Sequence, residues 1–121
     1  EQDRRHEIVD GDLGEKEAAS GKHGEAQGRA YQSLGPFNRR GDGPPGRPGG
    51  WRFATEVEIL FDERNILRPD IAGWRRERLP ELPAETPLRV RPDWICEVLS
   101  TNRRNDLVKK KRVYHHAQVR H

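Results

Sequence analysis

Apolar residues are spread unevenly along the 121-residue chain, and their spacing changes character at Trp51. Before that point, Glu7-Ile8-Val9-Asp10-Gly11-Asp12-Leu13 is a short apolar run entering Asp-Gly, a hairpin signal. Residues 14 to 21 are small and polar and read as a turn. From His23 to Leu34, Ala26, Ala30 and Leu34 recur at helical spacing with Gln27 and Tyr31 beside them. That spacing predicts a helix, weakened by Gly24 and Gly28. Gly41 to Gly50 is too rich in Gly and Pro for regular structure and is expected to be a flexible loop. It matches no phosphate-cradling motif, because it lacks a preceding strand and a following Lys-Ser/Thr.

Beyond the loop the alternation is clean. Trp51, Phe53, Thr55, Val57 and Ile59 share one face of a strand running to Leu60, with Arg52, Ala54, Glu56, Glu58 and Leu60 on the other. A turn at residues 62–65 and a second strand from Ile66 to Ala72 complete a predicted hairpin, bent or at an edge where Pro69 removes a donor. Residues 75–92 carry Pro80, Pro83, Pro87 and Pro92 and predict an irregular connection. Trp94 to Leu99 reads as a buried central strand, and Asn105 to Ala117 as a helix. There is no internal repeat. The length fits a single domain, residues 1–121, with its core built after Trp51. The chain opens at Glu1, contains no Met and stops just after the last helix, so residues are expected beyond both ends, including a closing strand after His121.

One residue breaks the apolar pattern. Glu97 stands inside the otherwise apolar run Asp93-Trp94-Ile95-Cys96-Glu97-Val98-Leu99, on the same face as Ile95 and Leu99. A buried carboxylate costs several kcal/mol or more unless it is paired, protonated or metal-bound. An arginine partner would satisfy it structurally. A second acid offers another explanation. Asp70 follows Pro69 at the end of the preceding hairpin, where a bent strand can present a carboxylate. Asp93 competes, but it lies only four residues before Glu97, with no room for the turn that converging strands require. Glu56 or Glu58, one strand from Asp70, is a candidate third acid, unless it faces solvent.

The last helix supplies a cation. At about 100° per residue from Leu107, Tyr114 falls near 340°, Lys110 near 300°, Ala117 near 280° and Val113 near 240°. Lys110 therefore lies in the inward arc, while Lys109 and Lys111 flank it. It could reach solvent past the apolar face or pair with Asp106. It could also serve two acids. Mg²⁺ (or Mn²⁺) takes one or two carboxylates, several waters and phosphate oxygens. Asp70 and Glu97 would hold the ion, with Glu58 as a further ligand. The ion would activate water, and Lys110 would position or deprotonate that water or neutralise the transition state.

Charge changes the picture little. Hydrophobic residues make up 31% and charged residues 36%, and 23 basic against 20 acidic residues leave a net charge of +3. Two basic clusters could contact phosphates: Arg75, Arg76 and Arg78, and Arg103, Arg104 and Lys109 to Arg112. Solvated helix faces are the alternative. Cys96 is the single cysteine, so no disulfide and no cysteine-based zinc site can form within the chain. No apolar run approaches the length of a membrane span or signal peptide, so a reducing, cytoplasmic setting is expected.

Taken in order, Pro69-Asp70, then Cys96-Glu97-Val98-Leu99-Ser100, then Asp106-x-x-x-Lys110-x-x-x-Tyr114 resembles the Uma-two family of restriction endonucleases within the PD-(D/E)XK superfamily. The likeness extends to Glu7-Ile8-Val9-Asp10-Gly11, to His23-Gly24, to Gly49-Gly50-Trp51 and to Pro69-Asp70-Ile71-Ala72-Gly73-Trp74-Arg75-Arg76-Glu77-Arg78, covering most of the chain. It implies an α/β fold with a restriction-endonuclease-like core, a central mixed β-sheet flanked by helices. It also implies Asp70 and Glu97 as metal ligands, Lys110 as the catalytic lysine, DNA as partner, and a homodimer. The superfamily's usual lysine position, two residues after the acid, is Leu99 here, so the lysine comes from the helix. Departures fall at Thr101-Asn102, where the family has Pro-Ser-Thr, at Gln118 in place of Gly, and in the missing last strand. A catalytically inactive nucleic-acid-binding or assembly module on the same fold is the competing expectation.

Overall fold

In the computed structural model the described residues are 6–16, 20–39, 49–98 and 104–121, apart from the side chains of Glu15 and residues 104–107. Most of the loop expected at 41–50, and Leu99 to Arg103, lie outside them.

The chain opens with a tight hairpin. β1 (His6–Val9) pairs antiparallel with β2 (Asp12–Glu15), Val9 facing Asp12. The two turn residues, Asp10 and Gly11, have φ of 53° and 84°. Positive φ at both positions matches the twist of the strands, and Asp-Gly adopts it cheaply. Asn65 fixes the turn by accepting the Asp10 N–H at 2.8 Å.

Helix α1 (Gly21–Ser33) starts at Ser20, whose hydroxyl accepts the His23 N–H at 3.1 Å. Of the expected stripe Ala26, Ala30 and Leu34, the last two are half-buried, as are Gln27 and Tyr31 beside them. Ala26 is exposed, and the contacts come from His23, Gln27 and Tyr31, one turn apart. These are polar groups satisfied by the segments beneath, which hydrophobic spacing does not reveal.

The long hairpin after Trp51 is interrupted. β3 (Trp51–Thr55) pairs with β6 (Ile71–Arg75), and β4 (Ile59–Asp62) with β5 (Asn65–Leu67), all antiparallel. Thr55 faces Ile71 and Ile59 faces Leu67, four residues further along each strand, so the register does not slip. Pairing lapses at Glu56–Glu58 and Arg68–Asp70. Glu56 has φ of 57°, left-handed and uncommon for a residue other than Gly. That residue inverts the alternation: Ile59 packs in one core cluster with Ala54, Ala72 and Trp74, not on the face of Phe53 as strict alternation required. Trp51, Phe53 and Trp94 form a separate aromatic group, and Phe53 comes so close to Gly73 that a Cβ there would meet it at 2.7 Å.

The lapse leaves two sheets in the order β2-β1-β5-β4 and β3-β6-β7. β7 is only Trp94–Cys96, and its residues are half-buried, so it is shorter and less covered than the central strand expected. Its outer side meets the chain end, where Ile95 N–H donates to the His121 carbonyl at 2.8 Å. A parallel bridge joins Ile59 to Leu88 in the otherwise irregular connection. Helix α2 (Arg104–His116) packs Val113 and Tyr114 on Leu67, Phe61 and Ile95, forming the second core cluster. The architecture is α/β with a restriction-endonuclease-like core.

Candidate active site

The interruption in the long hairpin is where ionisable groups gather. β6 and β7 pair with Ile71 opposite Cys96, and one further step in that register sets Asp70 opposite Glu97. The two acids are tied to each other's backbone. Asp70 N–H donates to Glu97 Oε1 at 2.9 Å, and Val98 N–H donates to Asp70 Oδ2 at 2.6 Å. Covalent geometry then keeps Glu97 Oε1 within about 8 Å of either Asp70 carboxylate oxygen. Asp70 is fully buried.

A lysine meets each of the two acids. Lys110, 1% exposed, places Nζ 2.7 Å from Glu7 Oε1 and 3.8 Å from Glu97 Oε2. Helix phase accounts for it: Lys109, Lys111 and Val108 of the same helix are exposed. Tyr114, one turn on, donates its hydroxyl to Glu97 Oε2 at 2.9 Å. Lys16, just beyond β2 and 7% exposed, contacts Glu56 Oε1 and Oε2 at 3.0 and 3.1 Å, Asp70 Oδ1 at 3.0 Å and the Arg68 carbonyl at 2.5 Å. His23 Nε2 lies 3.2 Å from the same Asp70 oxygen. Gln27 donates to the Asp70 carbonyl at 3.2 Å.

Burial dominates the electrostatics. It raises the Glu97 carboxyl above its ordinary value of 4.5, against the attraction of Lys110. It also lifts the Tyr114 phenol well above 10, with the neighbouring Glu97 charge adding to the shift. The Cys96 thiol is raised by burial and then by Asp70 and Glu97, which makes it a poor thiolate.

Asp70, Glu97 and Lys110 thus come together. Glu58 does not join them among the contacts seen: its Oε2 pairs with Arg68 Nη2 at 3.1 Å, and Glu56 is the acid that reaches Asp70's neighbourhood, through Lys16. Asp93 is engaged elsewhere, by Arg78 at 2.6 Å and the Arg75 N–H at 2.9 Å. Of the basic candidates, Arg75 lies over the Trp51 ring, 4.8 Å from its centre, and Arg76 donates to the Trp51 carbonyl and to Asn38. Lys109 is exposed, Arg104 opens α2, and Arg103 lies outside the described residues. Glu7, Lys16 and His23 escaped residue-level reasoning. Glu7 and His23 sit in segments that carry the family likeness, whereas Lys16 lies in a stretch that reads only as a turn.

The donor set suits one kind of ion. Among the described residues no three His, Cys, Asp or Glu side chains converge as a metal cage. Mg²⁺ needs only one or two carboxylates. Glu7, Glu56, Asp70 and Glu97 oppose two ammonium groups, Lys16 and Lys110, and leave two negative charges when all are ionised. A divalent cation bound between Asp70 and Glu97 would offset that charge. Beside Glu97 opens a cavity of about 540 Å³ lined by Ile95, Glu97, Lys111, Tyr114, His115, Val119 and His121.

Comparisons with known proteins bear on the family and the fold. A family model described as "putative restriction endonuclease", the Uma-two family, matches residues 1–121. The chain belongs to that family. A solved structure, described as a "putative nuclease belonging to DUF820" from Anabaena variabilis ATCC 29413, is similar at a TM-score of 0.65 and 23% identity. The match covers 88% of this chain but only 56% of that one, so the present chain spans little more than half its length. At that identity the likeness establishes the fold alone. None of the curated proteins matches the chain. No helix among the described residues is long and apolar enough to cross a membrane.

Proposed function

We propose that this protein is a divalent-metal-dependent endonuclease that hydrolyses phosphodiester bonds in DNA, with Asp70 and Glu97 holding Mg²⁺ or Mn²⁺ and Lys110 as the catalytic lysine. The observation that carries the reading is the mutual locking of Asp70 and Glu97 by backbone N–H groups beside a buried, inward-pointing Lys110. Membership of a restriction-endonuclease family supports it.

When bound, the ion would lower the pKa of a water and stabilise charge developing on the phosphate. The chain's own groups do the rest. The Asp70 N–H and the Tyr114 hydroxyl hold the two oxygens of Glu97, and the Val98 N–H with His23 holds those of Asp70, fixing both carboxylates before substrate arrives. Lys110, held between Glu7 and Glu97, brings a positive charge to the scissile phosphate or orients the attacking water. Lys111, His115 and His121 border the adjoining cavity and suit a phosphodiester strand lying in it. Arg75, Arg76, Arg103, Arg104 and Lys109 are candidates for more distant phosphates, and Arg75 is exposed as that role requires. A homodimer would present two such sites to the two strands.

Cleavage of supercoiled plasmid with and without Mg²⁺ or Mn²⁺ tests the reading, with RNA as a parallel substrate. Metal-dependent nicking that disappears in Asp70→Ala and Lys110→Ala is the expected result. DNA binding without cleavage at any metal concentration would instead favour the inactive module. Cleavage unchanged in both variants would move the chemistry to another site. Light scattering on the purified protein reads the oligomeric state.

A further inference from the structure

Lys16 has no part in the mechanism above, yet it is among the most tightly held side chains of the site. Its ammonium has four oxygen neighbours at 2.5 to 3.1 Å: both carboxylate oxygens of Glu56, one of Asp70, and the Arg68 carbonyl. Carboxylate oxygens from the two arms of a hairpin plus a backbone carbonyl form the donor set of a hard cation. They are gathered by an unusual backbone, since Glu56 takes its left-handed φ just where hairpin pairing lapses opposite Arg68 and Asp70. The oxygen Lys16 takes on Asp70, Oδ1, belongs to the acid assigned above to the metal. An ammonium and a divalent ion cannot both sit against that oxygen without strong repulsion.

We infer that Lys16 is a tethered cation that competes with the divalent metal for Asp70, keeping the buried acids paired in the metal-free protein and withdrawing from Asp70 when the metal enters. The inference rests on the metal-dependent reading of Asp70 and Glu97, and it concerns what the metal must displace. The chain around Lys16 suits withdrawal: the residue lies one position past the end of β2, whereas Lys110 is fixed in the second turn of a helix. Lys16 thereby sets the metal concentration at which the site fills, and so the affinity of the site for its cofactor.

Two measurements test this, neither of them enzymatic activity. In the first, the wild-type protein is treated with an amine-acylating reagent with and without saturating Mn²⁺, and modification at Lys16 is read by peptide mass spectrometry. Displacement predicts that Lys16 is protected without metal and becomes about tenfold or more reactive with it, while exposed Lys109 and Lys111 are unchanged. In the second, Mn²⁺ binding is measured by calorimetry for wild type, Lys16→Gln, Lys16→Met and Glu97→Gln. Removing the competitor predicts affinity about tenfold or more tighter in both Lys16 variants and weaker in Glu97→Gln. Wild-type protein that binds Mn²⁺ while Lys16 stays protected overturns the inference and leaves the metal-dependent reading standing. Wild type that binds no Mn²⁺, with Lys16→Gln that does, supports the inference in its strongest form. Failure of every form to bind overturns both. Should the Lys16 variants fail to fold, the acylation experiment decides alone.

Discussion

The two buried lysines of this site are built differently, and the difference separates holding a charge from using one. Lys110 is delivered by a helix whose phase leaves its neighbours in solvent, and it touches Glu7 closely and Glu97 loosely, at 2.7 and 3.8 Å. Lys16 is delivered from a strand end, and its contacts, all between 2.5 and 3.1 Å, include a carbonyl that cannot be neutralised. The first geometry leaves an ammonium fixed in place beside a carboxylate that burial has already made hard to ionise. The second resembles ligation of an ion. A rigid lysine beside the acids suits catalysis, and a ligated lysine on a less constrained segment suits exchange.

Replacing each lysine by Met should break this contrast most visibly. Lys110→Met is expected to lower the cleavage rate about 10²–10⁴-fold at every metal concentration, as loss of a positioned acid–base or charge-stabilising group does. Lys16→Met should instead shift the Mn²⁺ concentration giving half-maximal rate to lower values. Equal shifts in both variants, read from rates over a metal titration, would remove the distinction.

Stability without metal comes next in size. Lys16→Met leaves Glu56 and Asp70 facing each other across an apolar methyl, and breaking a buried ion pair in this way costs about 3–5 kcal/mol. Added Mn²⁺ should restore much of that loss in Lys16→Met and less in Lys110→Met. Urea unfolding with and without Mn²⁺ measures both; equal recovery would show that either ammonium can be replaced by the ion.

On the Lys110 side, Tyr114→Phe removes the hydroxyl that holds Glu97 Oε2. Leaving a buried acceptor short of a donor costs about 1–3 kcal/mol, and the freed carboxylate should also weaken Mn²⁺ binding. A variant as stable as wild type, with unchanged binding, would show that Lys110 alone positions Glu97.

The smallest effect is a slope. Burial raises the Glu97 carboxyl above 4.5, so the metal-free folded protein keeps that proton at pH values where the unfolded chain has lost it. Stability from this group is therefore full below pH 4.5 and falls as pH rises through the folded value, by at most about 1.4 kcal/mol per pH unit. Glu97→Gln lacks this slope, so its stability relative to wild type should grow with pH above 4.5. A difference that stays flat or shrinks across that range would mean that Lys110 outweighs burial.

Part of the candidate site was legible from residue order. The anomaly of Glu97, the preference for Asp70 over Asp93 and the inward phase of Lys110 each followed from spacing, and the structure brings those three side chains together. The fold class was legible too, as was the Asp-Gly hairpin turn. Spacing fails where the backbone departs from its repeat. The left-handed Glu56 inverted the alternation that put Phe53 and Ile59 on one face, and α1 packs through His23, Gln27 and Tyr31 because polar side chains there find partners on the segments below. Hydrophobic spacing carries no signal for such partners.

The sequence by itself placed most elements and singled out two candidate acids and a helical lysine, because periodicity and local turn chemistry act over a few residues; the family showed in the order of its motifs. Only the tertiary structure decided that Glu7, Lys16, His23 and Glu56 join them. Their contacts span 40 to 54 residues for Lys16 alone, and they exist because a hairpin loses its pairing at one point and opens room for a second cation. Lys16 reads as an ordinary turn lysine along the chain. The oxygens that make it otherwise are supplied by segments distant in sequence, and burial raises the strength of every charge they bring together.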